Sequence, residues 1–305
     1  MIHVEGMGWF GAVTALALER AGIEFTWSDI DSPTQAWKAS TGIVYPAGDD
    51  RTERERLSWT RWWLSDDWLP DHTVRPVTYG FTHKAPPHGG KYEWARWSYV
   101  PEVKIAAKHA FAVDVQAIVV EARSRFAERR CEYVDPARSK IVAHGARRAV
   151  GWVWGWSRKV NLRWPGGVEA DGMSLYGKVH RFGLCYAYPV GAQPGWWWAG
   201  SALVNERRPR ERDGRELADY YERWRSDFAR LYPGVDVVES GHEPIRQGWR
   251  PKPSESDPAL LGLTDTRCVF PALWHSGVRW APSLVEGAVQ WATRVTSSTS
   301  SALQA

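Results

Sequence analysis

The first twenty-nine residues constrain this chain more than any other stretch. Ile2-His3-Val4-Glu5 reads as a short strand running into Gly6-Met7-Gly8-Trp9-Phe10-Gly11, and Ala12 to Ala21 reads as a helix. Gly22 stands where a left-handed residue closes such a helix, and Ile23-Glu24-Phe25-Thr26-Trp27 alternates as a second strand leading to Asp29. Strand, glycine turn, helix, strand and acid complete a βαβ unit in about thirty residues. Within Gly6-x-Gly8-x-x-Gly11, the first glycine permits a tight turn and the second lets backbone approach a pyrophosphate. The third lets helix and strand pack closely. Amides from Trp9 and Phe10 to Ala12, with the helix dipole behind them, then face phosphate oxygens. Asp29, eighteen residues past Gly11, is placed to accept hydrogen bonds from ribose hydroxyls and to repel a 2′-phosphate. A dinucleotide site is expected, the alternative being an empty structural βαβ unit. These residues do not choose between FAD and NAD.

Composition bounds the rest. Of 305 residues, 44% are hydrophobic and 24% charged, which is globular usage and speaks against disorder. No run of eighteen apolar residues occurs, so no membrane-spanning helix is expected, and a strand beginning at Ile2 leaves no room for a cleavable leader. Cys131, Cys185 and Cys268 lie too far apart for a disulfide framework or a Cys-only zinc site, and nine scattered histidines show no metal-ligand spacing. A cytoplasmic, reducing location and no metal are the expectations. Net charge is +4 with a pI near 8.9, which permits an anionic partner without demanding one. Twenty-one tryptophans are far above ordinary usage.

Beyond Asp29, periodicity predicts helices over 51–69, Val115–Arg130 and Leu217–Leu231, and a last helix after Pro282 with Val285, Val289, Ala292 and Val295 on one face. Strand-like runs fall in 74–101, at Ile141–Trp156, Leu184–Tyr188, Trp196–Ala199, Val235–Glu239 and Cys268–Leu273. The Ser/Thr-rich residues 296–305 are expected to form a disordered tail. The arginine-rich stretch Glu206 to Arg215 reads as a surface loop, and as the best phosphate-contacting segment should a nucleic acid bind. The fold class is α/β: a Rossmann-type domain interleaved with an antiparallel-sheet lobe of α+β character.

Seven segments, in order, resemble the D-amino-acid oxidase and glycine oxidase family of FAD enzymes. They are Ile2 to Asp29; Ala39-Ser40-Thr41-Gly42-Ile43-Val44-Tyr45-Pro46; Phe111 to Ala127; and Val150 to Ser157, with Gly155, Trp156 and Ser157 where the family has a Gly-x-Trp-Ser turn. Tyr186-Ala187-Tyr188-Pro189 with Trp198-Ala199-Gly200-Ser201 follows, and then Gly248-Trp249-Arg250-Pro251 with Asp257 to Gly262. Gly277-Val278-Arg279-Trp280-Ala281-Pro282 stands where the family enters its last helix. The resemblance implies FAD as cofactor, bound by residues 1–50, 105–165 and 245–295, with a substrate lobe of 51–104 and 166–244. It implies cofactor contacts from Ser40, Thr41, Gly42, Gly155, Trp156, Gly248, Arg250 and Gly277 to Trp280. It also implies that Arg250 clamps a substrate carboxylate, with Tyr186 or Tyr188 helping. His275 stands where many relatives carry an arginine near the substrate.

The implied activity is oxidation of the C–N bond of a small glycine-like amino acid or secondary amine, giving an imine that hydrolyses to glyoxylate and an amine. A second expectation keeps the chemistry but attaches the glycine to a thymine base of phage DNA, as for flavin-dependent lyases of DNA hypermodification. The basic pI, the arginine-rich loop and the tryptophans suit that substrate. A third is a non-catalytic nucleic-acid-binding module.

Overall fold

The computed structural model describes residues 1–32, 35–40, 42–44, 69–81, 93–96, 104–132, 135, 138–144, 151–163, 173–179, 183–190, 195–206, 208–232, 234–238, 241, 243–252, 261–272 and 277–302. The opening βαβ unit forms as its pattern requires. Strand β1 (Ile2–Glu5) is followed by helix α1 (Trp9–Arg20) and strand β2 (Phe25–Ser28), which pairs parallel to β1. Gly22 takes φ +67°; its amide bonds the Glu19 carbonyl and that of Ile23 bonds Leu18, a left-handed closure that satisfies the last carbonyls of α1.

A 3-10 turn (Ala36–Ala39) leads to β3 (Gly42–Val44), then β4 (Val74–Phe81), β5 (Glu93–Arg96) and β6 (Lys104–Val113). Asp114 caps helix α2 (Val115–Arg125) by accepting from the Ala117 amide at 3.0 Å, so the helix begins where expected and tightens into a 3-10 turn at Ala127–Arg129. Strands β7 (Lys140–Val142), β8 (Gly151–Arg163), β9 (Met173–Val179), β10 (Gly183–Pro189) and β11 (Trp196–Glu206) precede helix α3 (Gly214–Leu231). Asp213 and Glu216 form a reciprocal capping box that starts α3 three residues ahead of its apolar stripe. Then come β12 (Asp236–Val238), β13 (Arg246–Lys252), β14 (Gly262–Leu263), β15 (Arg267–Val269) and helix α4 (Gly277–Ala302).

Two sheets organise these elements. The first has the order β14-β15-β7-β1-β2, parallel except at β14. Helix α1 packs between α2 and α4 on one face of it, burying Ile2, Val4, Leu16, Ile118, Phe126, Phe270 and Val285 in one core. The chain passes from β1 through α1 to β2 on one side, and later places β7 on the other. The glycine turn therefore lies at a topological switch point, where sheets of this kind bind ligands. The second sheet is ten-stranded and mostly antiparallel, running β12-β8-β11-β10-β9-β4-β6-β3, with β13 also on β8 and β5 on β6. Helix α3 covers one face of it through Trp154, Trp156, Trp197, Tyr221, Trp224 and Phe228.

Several expectations need correction. The last helix starts at Gly277, ahead of Pro282, which it contains. It also runs through the Ser/Thr stretch to Ala302. The Thr296, Ser297 and Ser298 hydroxyls donate to carbonyls four residues back, which lets hydroxyl residues continue a helix. Strands β8 and β13 pair with each other within the large sheet. The helix expected over 51–69 lies almost wholly outside the described residues.

The face of the parallel sheet turned away from α1 carries a polar residue at its centre. His3 is fully buried, with Nδ1 3.0 Å from the Thr26 hydroxyl and Nε2 2.9 Å from that of Ser28. Burial, then the charge of Lys140 and more weakly that of Arg138, pushes its pKa down to about 4 against the opposing pull of Glu5. The sign follows: below pH 6.5 the unfolded chain takes up a proton that the folded state refuses. Stability should therefore fall as pH drops from about 6.5 to about 4, by about 3 kcal/mol in all. Urea unfolding at pH 7 and pH 4.5 measures the loss, and His3→Gln should flatten it. An unchanged slope in that variant would refute the assignment.

Candidate functional site

The glycine turn is built as its spacing demands. Gly6 has φ +95°, and a Cβ there would sit 3.0 Å from the His144 amide nitrogen. A Cβ on Gly11 would fall 1.9 Å from the Gly6 carbonyl oxygen, so only glycine lets α1 approach the turn this closely. Gly8 caps α1 without any side chain, and no acid occupies the first helical turn, which leaves the positive helix end unopposed by its own sequence. Met7 is fully buried and anchors the turn from below, while Trp9 and Phe10 are half-buried beside the core.

A ring of contacts closes around this turn. The Asp29 carboxylate at the end of β2 accepts from its neighbour Ile30 N at 2.9 Å, from Gln35 Nε2 at 2.9 and 3.1 Å, and from Arg123 Nη2. Arg123 reaches over from α2; its Nε donates to the Met7 carbonyl at 3.0 Å and its Nη1 to Asp31 at 3.0 Å. Trp37 donates to Gln35 Oε1 at 2.7 Å, lies 5.0 Å from the Arg123 guanidinium, and its ring edge meets the place a Gly8 Cβ would take, at 3.4 Å. Lys38, and then Arg123, hold the exposed Asp31 carboxyl below the usual carboxylate range.

Arg123, Gln35 and Trp37 were not foreseen. Arg123 sits on a helix whose apolar stripe is legible, but nothing in its own surroundings announces a partner ninety-four residues back. The Asp29 side chain is only 7% exposed and that of Arg123 17%, so removing the arginine strands a buried charge. Arg123→Ala should cost about 2–3 kcal/mol of stability in urea unfolding, well above the ~0.5 kcal/mol of a surface pair. A loss no greater than that of a surface pair would show the contact to be incidental.

The second half of the site lies on the large sheet. Odd-numbered residues of β8 share one face, and cross-strand pairing aligns Arg246 with Ser157, Gly248 with Gly155, and Arg250 with Val153. On the other side of β8, Ser157 faces Gly200 and Lys159 faces Trp198, which in turn faces Tyr188. This face is turned toward the nucleotide unit. A Gly248 Cβ would meet the Gln35 carbonyl oxygen at 2.9 Å and Ala36 Cα at 3.0 Å, and Gln35 bridges Trp249. Arg246 donates to Gln116 of α2, whose Nε2 reaches the Ser40 carbonyl at 3.4 Å. Arg250 is half-buried, and among the described residues no carboxylate pairs with it. Tyr188 is 7% exposed.

Of the other expected contacts, Trp156 lies away from this face. Trp156 is fully buried on the opposite face, edge-on to Tyr221 and Trp224 beneath α3. Ser40 donates to the Ala36 carbonyl at 2.8 Å, and a Gly42 Cβ would strike the Val113 carbonyl oxygen at 2.6 Å, so Gly42 is required by packing of β3 on β6. Gly277, Val278, Arg279 and Trp280 form the first turn of α4, with Val278 half-buried against the nucleotide core. Thr41, His275 and the side chain of Tyr186 lie outside what is described.

The arginine-rich segment is the exposed loop expected over residues 208–211, with Arg212 alone buried in the fold. Arg212 is 4% exposed, its guanidinium 3.8 Å from the Trp154 ring, and its backbone exchanges hydrogen bonds with the Gln247 side chain. Arg210 pairs with Glu216 at 2.7 Å. Arg208 and Arg215 are exposed.

No protein-family model matches the sequence, and no curated protein matches it either. Solved structures do share its architecture. The L-α-glycerophosphate oxidase of Mycoplasma pneumoniae, determined with FAD bound, is 11% identical with a TM-score of 0.67, over 96% of this chain and 94% of that one. Glycine oxidase from Bacillus cereus is 12% identical with a TM-score of 0.65, over 97% and 95%. Iminodiacetate oxidase from Chelativorans sp. is 14% identical with a TM-score of 0.62, over 94% and 93%. Across nearly its whole length, this chain has the fold of those oxidases.

Proposed function

We propose that this chain is a FAD-dependent oxidoreductase that oxidises the C–N bond of a small glycine-like amino acid or secondary amine. The observation that carries the reading is the position of Arg250. It stands on the sheet face turned to the nucleotide unit, two residues from the glycine that seats Gln35 and Ala36. The Gly6–Gly8–Gly11 cradle fits a dinucleotide, because a Cβ would collide at Gly11 and strain the backbone at Gly6. The shared fold with enzymes described as glycine oxidase, iminodiacetate oxidase and a FAD-bound glycerophosphate oxidase supports FAD over a nicotinamide.

FAD, when bound, supplies the acceptor for a hydride from the substrate carbon beside the amine. The protein's own residues do the rest by positioning. The first-turn amides of α1 and the cradle hold the pyrophosphate, and Asp29, engaged by Arg123 and Gln35, fixes the end of β2 beside the ribose. The planar guanidinium of Arg250 grips the substrate carboxylate at two points, which fixes the direction of the Cα–H bond. Through β11 and β8 the strand register sets Tyr186 of β10 level with Arg246 rather than with Arg250. A neutral amine needs no protein base to lose the hydride, and water hydrolyses the released imine to glyoxylate and an amine.

A free small substrate is favoured over a glycine carried on phage DNA. Among the described residues no tryptophan is exposed, and nine are buried. Arg212 and Arg210 are engaged within the protein, so these two arginines are taken up by the fold rather than left to a polyanion. Anaerobic mixing of FAD-loaded protein with glycine, sarcosine and glycyl-modified DNA tests both versions. Bleaching of the flavin by a free amine supports the first; bleaching by modified DNA alone supports the second; no bleaching by any of them overturns the activity.

A further inference from the structure

We infer that Arg123 is a positioning residue for the cofactor: it locks the Met7–Gly8 peptide so that the Gly8 N–H is presented to a pyrophosphate oxygen. That the dinucleotide is FAD rests on the function proposed above. Position 8 is where the need for a lock arises. Reversing the peptide between residues 7 and 8 changes only ψ of Met7 and φ of Gly8, and a residue such as Met7 can adopt either ψ. Gly8 has φ −80°. Reversal would carry it to about +100°, a value glycine takes as readily as a negative one and other residues resist. The glycine that lets a phosphate approach therefore leaves the direction of its own amide unsettled. The buried Met7 side chain anchors the Cα before this peptide but not the peptide itself.

Arg123 supplies the missing constraint. Its Nε donates to the Met7 carbonyl at 3.0 Å and draws that oxygen toward α2. In a trans peptide the N–H points opposite to the C=O, so the Gly8 amide is turned away from α2. The Gly8 carbonyl is already used, accepting from the Ala12 amide at 2.8 Å to start α1, whereas among the described residues the Gly8 N–H meets no protein acceptor. A free amide at the positive end of a helix is the donor that an oxyanion takes. The guanidinium itself is fixed: Nη1 donates to Asp31 at 3.0 Å, Nη2 donates to Asp29, and the Trp37 ring centre lies 5.0 Å away. Two carboxylates thus occupy the fork and offset its charge, so Arg123 acts on a phosphate through the peptide it holds rather than by direct attraction. A lysine here would keep a cation beside Asp29 but not the rigid third donor aimed at Met7. Charge and orientation can therefore be separated.

Fluorescence titration of the full-length apoprotein with FAD, and competition by ADP and by adenosine, test this alongside urea unfolding. Arg123→Lys should unfold close to the wild-type urea concentration yet bind FAD and ADP about tenfold more weakly, the loss expected when one hydrogen bond to a charged group is misdirected. Adenosine, which carries no phosphate, should bind both proteins alike. Should Arg123→Lys prove unstable, Arg123→Met combined with Asp29→Asn leaves no stranded charge, and that pair should bind ADP about tenfold more weakly than Asp29→Asn alone. Unchanged FAD and ADP affinity in Arg123→Lys would overturn the inference. So would a loss that adenosine shares in full, which would place the effect at the ribose. Binding of NAD in preference to FAD, with the same dependence on Arg123, would uphold the lock while refuting the flavin reading; binding of no dinucleotide would overturn both.

Discussion

Arg250→Met should lower kcat/KM for a carboxylate-bearing amine by about 10²- to 10³-fold while FAD stays bound. The methionine keeps an apolar stem of similar reach and removes only the fork, so the loss reports the carboxylate contact. Truncating one partner of a desolvated, hydrogen-bonded charge pair costs about 2–5 kcal/mol, which spans this range of rates. Arg250→Lys should recover only part of the activity, because a point charge restores attraction without two-point orientation. Stopped-flow flavin reduction separates the cases. A methionine variant that reduces its flavin at the wild-type rate would remove Arg250 from the mechanism.

Gly11→Ala should abolish FAD binding and destabilise the nucleotide unit by about 3 kcal/mol or more. Its new methyl group would lie 1.9 Å from the Gly6 carbonyl oxygen, well inside van der Waals contact, and backbone cannot swing away as a side chain can. Either α1 shifts off the sheet or the turn opens; both destroy the cradle. Gly22→Ala is the matched control. At φ +67°, with nothing within 4 Å of the new Cβ, it strains one residue and touches no neighbour. It should cost about 1 kcal/mol and leave cofactor affinity intact. Fluorescence titration with FAD and urea unfolding of both variants provide the measurement; equal FAD affinity in the two would contradict the cradle.

What could be read from residues alone divides along physical lines. The βαβ unit was legible because each device in it is local: glycine conformations, helix closure by Gly22 and an acid at a fixed offset from Gly11. The interleaving was legible only through ordered family-like segments. Arg123, Gln35 and Arg246 were not visible, since each acts across long sequence separations that no period or spacing encodes. Trp156 and Arg212 illustrate the opposite error. Both belong to residue types that bind ligands, but an alternating strand has two faces, and α3 rather than the cofactor side claims the one on which Trp156 lies. Likewise Arg212 looked like one charge in a solvated run, whereas the aromatic surface of Trp154 makes burial of its guanidinium favourable.

The nucleotide unit draws on the chain's beginning, middle and last described helix: β1, α1 and β2, then α2 and β7, then β15 and α4. During synthesis, α1 emerges early with Val13, Leu16 and Leu18 seeking partners that the ribosome has not yet made. Its closing partner α4 arrives some 260 residues later. The cofactor cradle is thus a late product of translation, and the nascent chain should depend on chaperones that shield an apolar helix until its final neighbour is released.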